Sequence, residues 1–446
     1  MLKQRDVITA EIIGLGSNGE GVCKYEDYTI FTPFSAIGDV LEIEITFAKR
    51  QIAYGKVVRV VTKSKDRVDA PCRVFGKCGG CQLQHLDIVA EEAYKHNKVE
   101  DNLRKIAGVE IDVLPTVSSP KEYGYRNKLS MPIREIDGDI VCGFYEQNTH
   151  KIVDCAECVL QEEWAKKVTR AIKEYVKTSC IQAYSESDFT GVARQVVARY
   201  VDNQLLVVLV VNGRTEPNCE PLIELLKKQF SKFGLFINFN SAYNNVILGK
   251  ETKHIYGIPA IGSEEFGVKY FLQPKSFFQV NDGVRKLLYN KVKTLISECK
   301  TELLIDAFSG VGLLTGALYS DQYATVAIEI EPTAVEDANT LKYTNNLVKL
   351  TNICGDVNDE LIKVDCRGRL TTLVVDPPRK GLGTETREAI LTSKPQHIIY
   401  ISCDSATLAR DIKTLLPLYR VARVEPYNMF PKTDDVETLV LLSLID

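Results

Sequence analysis

From residue 301 to the C-terminus, short apolar runs rich in β-branched residues alternate with polar stretches of helical length, and this alternation constrains the fold more than any other feature. TELLIDAFSG, TVAIEIE, TNICGDV, TTLVVDPPR, HIIYISC, YRVARVEPY and ETLVLLSLI read as strands, with LLTGALYS, PTAVEDANTLKYTNNL, ETREAILTS and SATLARDIKTLL as the helices between them. Strands apolar at nearly every position must be covered on both faces. The pattern therefore predicts a doubly wound parallel α/β sheet, whose ligands sit at the carboxyl ends of the strands.

Chemistry-bearing residues collect at those ends. The first strand runs into Asp306-Ala-Phe-Ser-Gly-Val-Gly312 and the second ends in Glu329. Glycines at such a turn let backbone approach a ligand, and an acidic residue about 20 positions on can accept hydrogen bonds from ribose hydroxyls. Thr315 stands where a dinucleotide fingerprint has its third glycine, so S-adenosylmethionine suits the turn better than a pyrophosphate ligand. The Gly-x-Gly pair alone is equally compatible with a plain tight turn. Asp376-Pro-Pro-Arg379 follows the fourth strand, where two prolines stop the strand and hold acid and base at the sheet's edge. Cys403 follows the fifth, at the expected start of a helix. That position favours a thiolate and suggests a nucleophile, a buried inert thiol being the alternative.

Upstream, short strands between Gly and Asp turns predict a small β-barrel in roughly the first sixty residues. Residues 49–67 carry seven Lys or Arg against one Asp, with Tyr54 among them; they read as a solvated linker or as a grip on phosphates. The net charge of −4 otherwise argues against a general nucleic-acid binder. Among 13 cysteines, Cys72-x5-Cys78-Gly-Gly-Cys81 and the distant Cys155-x2-Cys158 stand out. Three close thiols and a remote fourth can hold a tetrahedral metal or an iron–sulfur cluster, and spacing does not choose between them. DIVAEEAYKHNKVEDNLRKIAG reads as a helix closing at Gly108, and from about 120 to 260 the topology is not legible. Apolar runs such as LLVVLVV fall far short of the ~20 residues of a membrane span, and MLKQRDV lacks the apolar stretch of a secretion signal. A cytoplasmic protein is expected.

Together these segments resemble the RNA uracil-C5 methyltransferases, and within them the 23S ribosomal RNA branch with an N-terminal TRAM domain and an iron–sulfur cluster. The likeness covers nearly the whole chain and rests on GSNGEGVCKYEDYTIFTPFSAIGD, CRVFGKCGGCQLQH, FFQVN at 277–281, DAFSGVG, VDPPRKG, SCDSATLARD and FPKTDDVETLVLL. It implies a multidomain chain: an OB-like TRAM barrel over 1–62, a central α+β domain for RNA and cluster over 63–260, and a Rossmann-like class I methyltransferase domain over 261–446, on which helix 88–108 would pack. It implies Cys403 as nucleophile and Glu437 as proton acceptor, with Gln279, Phe308, Glu329 and Asp376 contacting S-adenosylmethionine. Cys72, Cys78, Cys81 and Cys158 would hold a [4Fe-4S] cluster, Cys158 being preferred to Cys155 because HKIVDCAECVLQ aligns best with the family at its second cysteine.

The implied partner is ribosomal RNA, bound by a monomer. Transfer RNA ranks second, because its enzymes in the family typically lack the TRAM domain and the cluster motif. An inactive iron–sulfur RNA-binding protein ranks third, and intact Cys403 and Glu437 speak against it. Three positions depart from the family pattern: Ser405 where proline is frequent, and Asp435 and Gln195 where histidine is usual. All three bear on how RNA is faced.

Overall fold

The computed structural model describes residues 2–147 and 149–445. Six strands, Val7–Glu11, Gly14–Leu15, Gly21–Tyr25, Tyr28–Thr32, Val40–Lys49 and Ile52–Thr62, form the N-terminal sheet. Residues 7–15 pair with Val40–Lys49 through their first half and with Gly21–Tyr25 through their second, so the two edges of the sheet are joined by one bent strand. Alternate side chains point inward, and Ile8, Ile12, Ile30, Leu41 and Ile43 share one core.

The basic stripe is less free than its sequence suggests. Lys56 pairs with Glu44 at 3.1 Å, Lys63 with Asp69 at 3.4 Å, Arg59 with Glu42, and Arg67 with the buried Asp39 at 2.5 Å. Carboxylates thus pair with four of the seven cations, two of them across strands Val40–Lys49 and Ile52–Thr62, antiparallel neighbours in register Glu42↔Arg59 and Glu44↔Lys56.

A seven-stranded sheet fills the middle of the chain, in the order 251–257, 233–239, 204–211, 193–201, 128–136, 139–145, 152–154. Helices Glu163–Thr178 and Glu220–Lys227 cover one face through Trp164, Val168, Ile172, Leu222 and Leu226. Its pairings are antiparallel except 204–211 with 233–239, and most join neighbours in sequence, but 128–136 pairs with 193–201, about 60 residues on, which sets the order of the sheet. Local patterning could not reveal it.

The C-terminal sheet comprises β1 (Leu303–Ala307), β2 (Ala324–Glu329), β3 (Leu350–Cys354), β4 (Thr371–Val375), β5 (His397–Ser402), β6 (Tyr419–Tyr427) and β7 (Glu437–Leu444), in spatial order 3-2-1-4-5-7-6. β1 to β5 are parallel, as expected. The expectation of a wholly parallel sheet fails at the end, where β7 inserts antiparallel between β5 and β6. Residues 428–436 provide the reason: a parallel return needs a crossover of a dozen or more residues, and this connection is shorter and carries no helix.

Helix α1 (Ile88–Asn102) lies across this domain instead of the sheet that follows it in sequence. It continues through a wider turn, Leu103–Ala107, and stops at Gly108, whose φ of 73° is the left-handed conformation of a helix C-cap. Val99, Leu103 and Ala107 share a core with Leu408, Ala409 and Ile412 of helix α2 (Ser405–Leu415).

Candidate active site

The β5–β7 register builds the site. Ser402 pairs with Thr438, so the next step outward sets Cys403 beside Glu437, at the carboxyl end of β5 and the start of β7. Asp376 leaves the carboxyl end of β4, whose last residue, Val375, pairs with Tyr400 of β5. Cys403 feels the charges of Glu437, Asp376 and Asp435, and on the opposite sign Arg379. Five residues named in the sequence, Cys403, Glu437, Asp376, Arg379 and Asp435, therefore gather at one edge of the sheet.

The expectation of a thiolate favoured by a helix N-terminus is overturned. Helix α2 begins at Ser405, and the Asp404 carboxylate caps it by accepting from the N–H groups of Ala406 and Thr407. Asp404 occupies the place where the thiolate would have been stabilised. Burial and the surrounding carboxylates instead push the Cys403 thiol up to about 12, against the pull of Arg379. Glu437 is 1% exposed, and its Oε1 has no hydrogen-bond partner among the described residues. Burial, followed by Asp376 and Asp435, holds its carboxyl well above the usual range. Both groups thus hold their protons more tightly than a free thiol and a free carboxyl do.

Asp376 is raised to about 7, first by burial and then by Asp306. Asp306, 1% exposed at the end of β1 and hydrogen-bonded by the Thr315 hydroxyl, is raised to about 7 for the same first reason. Thr315, read as a missing glycine, is therefore the partner of a buried acid. Glu329 turns its carboxylate back onto the glycine turn: Oε2 accepts from Gly310 N at 2.9 Å and Oε1 from Glu331 N at 2.9 Å. Gly312 opens the following helix at φ 82°, and a Cβ there would come within 3.1 Å of Ala338. Phe308 holds φ 68° and donates its N–H to Ile328 O, tying β1 to β2. Gln279 is buried in the loop before helix Asp282–Glu298, and its carbonyl accepts from Asn127 Nδ2 at 2.9 Å. No described hydrogen bond joins it to the other three.

All three departures have partners. Asp435 Oδ2 accepts from Arg379 Nη2 at 2.5 Å, so the carboxylate at this position holds the guanidinium beside Cys403. Ser405 is buried and receives Asn102 Nδ2 of helix α1 at 2.8 Å, so it faces the helix contact. Gln195 lies in the central sheet, donating to Ser130 Oγ at 2.9 Å.

Cys72, Cys78, Cys81 and Cys158 all line one cavity of about 890 Å³. Cys81 is close enough to the other three for their charges to raise it, after burial, to about 12. Among the described residues, however, no three His, Cys, Asp or Glu side chains gather tightly enough to hold a metal ion. Cys155 lines the same cavity, its thiol donating to Val153 O at 3.1 Å. Four soft sulfur donors around a single space fit an iron–sulfur or zinc centre in kind, and Cys155 offers a fifth.

Other contributors were passed over in the sequence. Asn281, the last residue of FFQVN, caps helix Asp282–Glu298 and sends its Nδ2 to Ser119 Oγ and to Met429 O, in the loop leading to Glu437. The Asn-Asp boundary was the available signal. Tyr289, buried and raised by desolvation, feels Asp376, Asp306 and Glu437 together, and nothing local in its helix marks it.

Comparison with known proteins agrees with this geometry. A model of the tRNA (uracil-5-)-methyltransferase family matches residues 89–445, and one of the TRAM domain matches residues 2–58. An uncharacterized RNA methyltransferase of Halalkalibacterium halodurans is 34% identical over 99% of this chain and 98% of its own length. One of Clostridium tetani is 33% identical over 99% and 97%. The solved tRNA (uracil-54, C5)-methyltransferase of Pyrococcus abyssi, in complex with S-adenosyl-L-homocysteine, aligns with a TM-score of 0.77 at 26% identity, over 98% of this chain and 100% of that one. With the family match spanning most of the sequence and the strand ends gathering a thiol and carboxylates, the chain belongs to the tRNA (uracil-5-)-methyltransferase family of S-adenosylmethionine-dependent RNA methyltransferases and carries a TRAM domain ahead of it.

Proposed function

We propose that the protein methylates carbon 5 of a uridine in 23S ribosomal RNA, with Cys403 as nucleophile and Glu437 as proton acceptor. The observation that carries the chemistry is the adjacency of Cys403 and Glu437 across β5 and β7, with Asp376 and Arg379 beside them. Carbon 5 of uracil is a weak nucleophile. The Cys403 thiol gives up its proton to solvent and the thiolate adds to carbon 6, turning the ring into an enolate whose carbon 5 takes the methyl group as the thioether of the donor leaves. S-adenosylmethionine supplies that methyl as an electrophile, held by Gln279, Phe308, Glu329 and Asp376. Arg379 stabilises charge on the uracil carbonyl. Glu437 then removes the carbon 5 proton, the carbon–sulfur bond breaks, and the thiolate and 5-methyluridine separate. A carboxylate with raised proton affinity is matched to that step.

The same reading places domains at 1–62, 63–260 and 261–446, and assigns Cys72, Cys78, Cys81 and Cys158 to a [4Fe-4S] cluster. Their shared cavity and their soft donors support this assignment. Iron and sulfide analysis of anaerobically purified protein tests it, and stoichiometric zinc without iron refutes it.

Transfer RNA is the second reading, because the Pyrococcus abyssi enzyme named for transfer RNA aligns over 98% of this chain. A long N-terminal extension therefore does not by itself point to ribosomal RNA. Mapping 5-methyluridine in both RNAs from a deletion strain decides: loss from 23S RNA supports the first reading, and loss from transfer RNA alone replaces it.

A further inference from the structure

A second cavity, about 1130 Å³, opens on the central sheet away from the residues assigned to catalysis. Phe189 and Tyr243, on two loops that line it, lie against each other with ring centroids 4.3 Å apart and planes tilted by 53°, yet are 44% and 72% exposed. Large aromatic faces left in water at loop tips are uncommon unless something covers them. Deeper in the cavity the guanidiniums of Arg134 and Arg194 sit over the Tyr184 ring, 5.2 and 5.0 Å from its centroid. Glu186 accepts from Arg134, from Tyr145 Oη at 2.7 Å, and lies 3.4 Å from His150, so Arg134 is neutralised. Arg194 donates to Asn240 O at 2.8 Å and has no carboxylate partner among the described residues. Its charge is available.

Position argues for the same class of ligand. Gly79 and Gly80 line this cavity, and two residues on, the N–H groups of Gln82 and Leu83 both donate to Lys432 O, at 3.1 and 3.0 Å. Lys432 stands five residues before Glu437, so the covalent path bounds the separation of cavity wall and catalytic carboxyl at about 30 Å. A few unpaired nucleotides on one side of a reacting uridine span that distance.

We propose that this cavity takes an unpaired base of the RNA substrate flanking the target uridine. The base stacks on Phe189 and Tyr243, and Arg194 meets its phosphate. Exposed aromatic faces beside an unpaired guanidinium are the pairing used for single-stranded nucleic acid, since every base offers a π-face. The proposal rests on the chain acting on RNA but not on which RNA, so its probe is independent of the substrate question.

The test is binding of fluorescein-labelled oligo(U) to the full-length protein across a salt series, followed by anisotropy. Changing both aromatics, Phe189→Ala with Tyr243→Ala, should weaken binding about ten-fold at every salt concentration, leaving the slope of log affinity against log salt unchanged. Arg194→Gln should reduce that slope by about one. Phe189→Tyr with Tyr243→Phe should bind like the parent protein, and S-adenosylmethionine binding should be equal in all, which separates lost stacking from misfolding. Unchanged affinity in the alanine pair overturns the proposal and leaves the aromatics to a protein contact; so does equal weakening in the aromatic-preserving pair. Ribosomal and transfer RNA methylation by the parent protein is scored separately, so failure of the substrate assignment leaves the binding result standing.

Discussion

At Cys403 and Glu437, adjacent residues should fail in different ways. Cys403→Ala should neither methylate nor form an adduct, whereas Glu437→Gln should transfer the methyl group and stay bonded to RNA, seen as a shifted band on a denaturing gel. Normal turnover by Glu437→Gln would show that another group accepts the proton. The pH dependence has a definite sign. Both groups act in their deprotonated forms and both are raised, so the single-turnover rate should climb with pH through the neutral range. Asp435→Asn removes one charge that raises the thiol and releases Arg379, so Cys403 alkylation by iodoacetamide should shift to lower pH, read by mass spectrometry. A shift upward would mean that Arg379 had left the site with its partner. The corner that holds Cys403 was legible here but its electrostatics were not, since SCDSA shows a helix start without showing that Asp404, and not the thiol, would face its free N–H groups.

Between elements, the loop 428–436 is fixed by charge buried in helix α1. Glu91 and Lys95, both 0% exposed, pair at 3.0 Å, and Lys432 Nζ lies 3.1 Å from Glu91 and 2.8 Å from Glu122. Glu91 Oε1 also accepts from Asn428 Nδ2 and Lys432 N, and Lys95 donates to Asn428 Oδ1 and Phe430 O. One carboxylate thus orders the turn that delivers Asp435 and Glu437. Glu91→Ala would leave the buried Lys95 ammonium without a carboxylate while Lys432 keeps Glu122, and breaking such a buried pair costs about 3–5 kcal/mol, so denaturant unfolding should show a loss of that order. A loss below about 1 kcal/mol would mean that water reaches the lysines. Helix α1 was legible as far as Gly108, and its packing on the C-terminal domain was expected from the resemblance; the burial of Glu91 and Lys95 was not legible, since their partners lie more than 300 residues away. The βα units were readable because each strand carries its burial locally, whereas the order of the central sheet turns on one long-range pairing, 128–136 with 193–201, that no local pattern marks.

Over the whole molecule, RNA contact has to be reconciled with a net charge of −4, which makes the placement of unpaired cations decisive. In the barrel, Lys56, Arg59, Lys63 and Arg67 are matched by carboxylates, while Lys49, Arg50 and Lys65 have none among the described residues. Lys49 and Arg50 flank the turn between two long strands, next to Phe47 and Tyr54, which are 52% and 47% exposed with centroids 6.3 Å apart. The turn therefore combines free charge with open aromatic faces. Each lysine or arginine that meets a phosphate adds about 0.7–0.9 to the slope of log affinity against log salt, and a cation already held by a carboxylate adds less, since it has fewer counterions to displace. Replacing Lys49, Arg50 and Lys65 by glutamine should accordingly flatten the slope for oligo(U) by about two, whereas the same change at Lys56 and Arg59 should leave it within about 0.5. Equal flattening by both sets would mean that the cross-strand pairs open when RNA arrives, and that the whole stripe, not its tip, grips the phosphates.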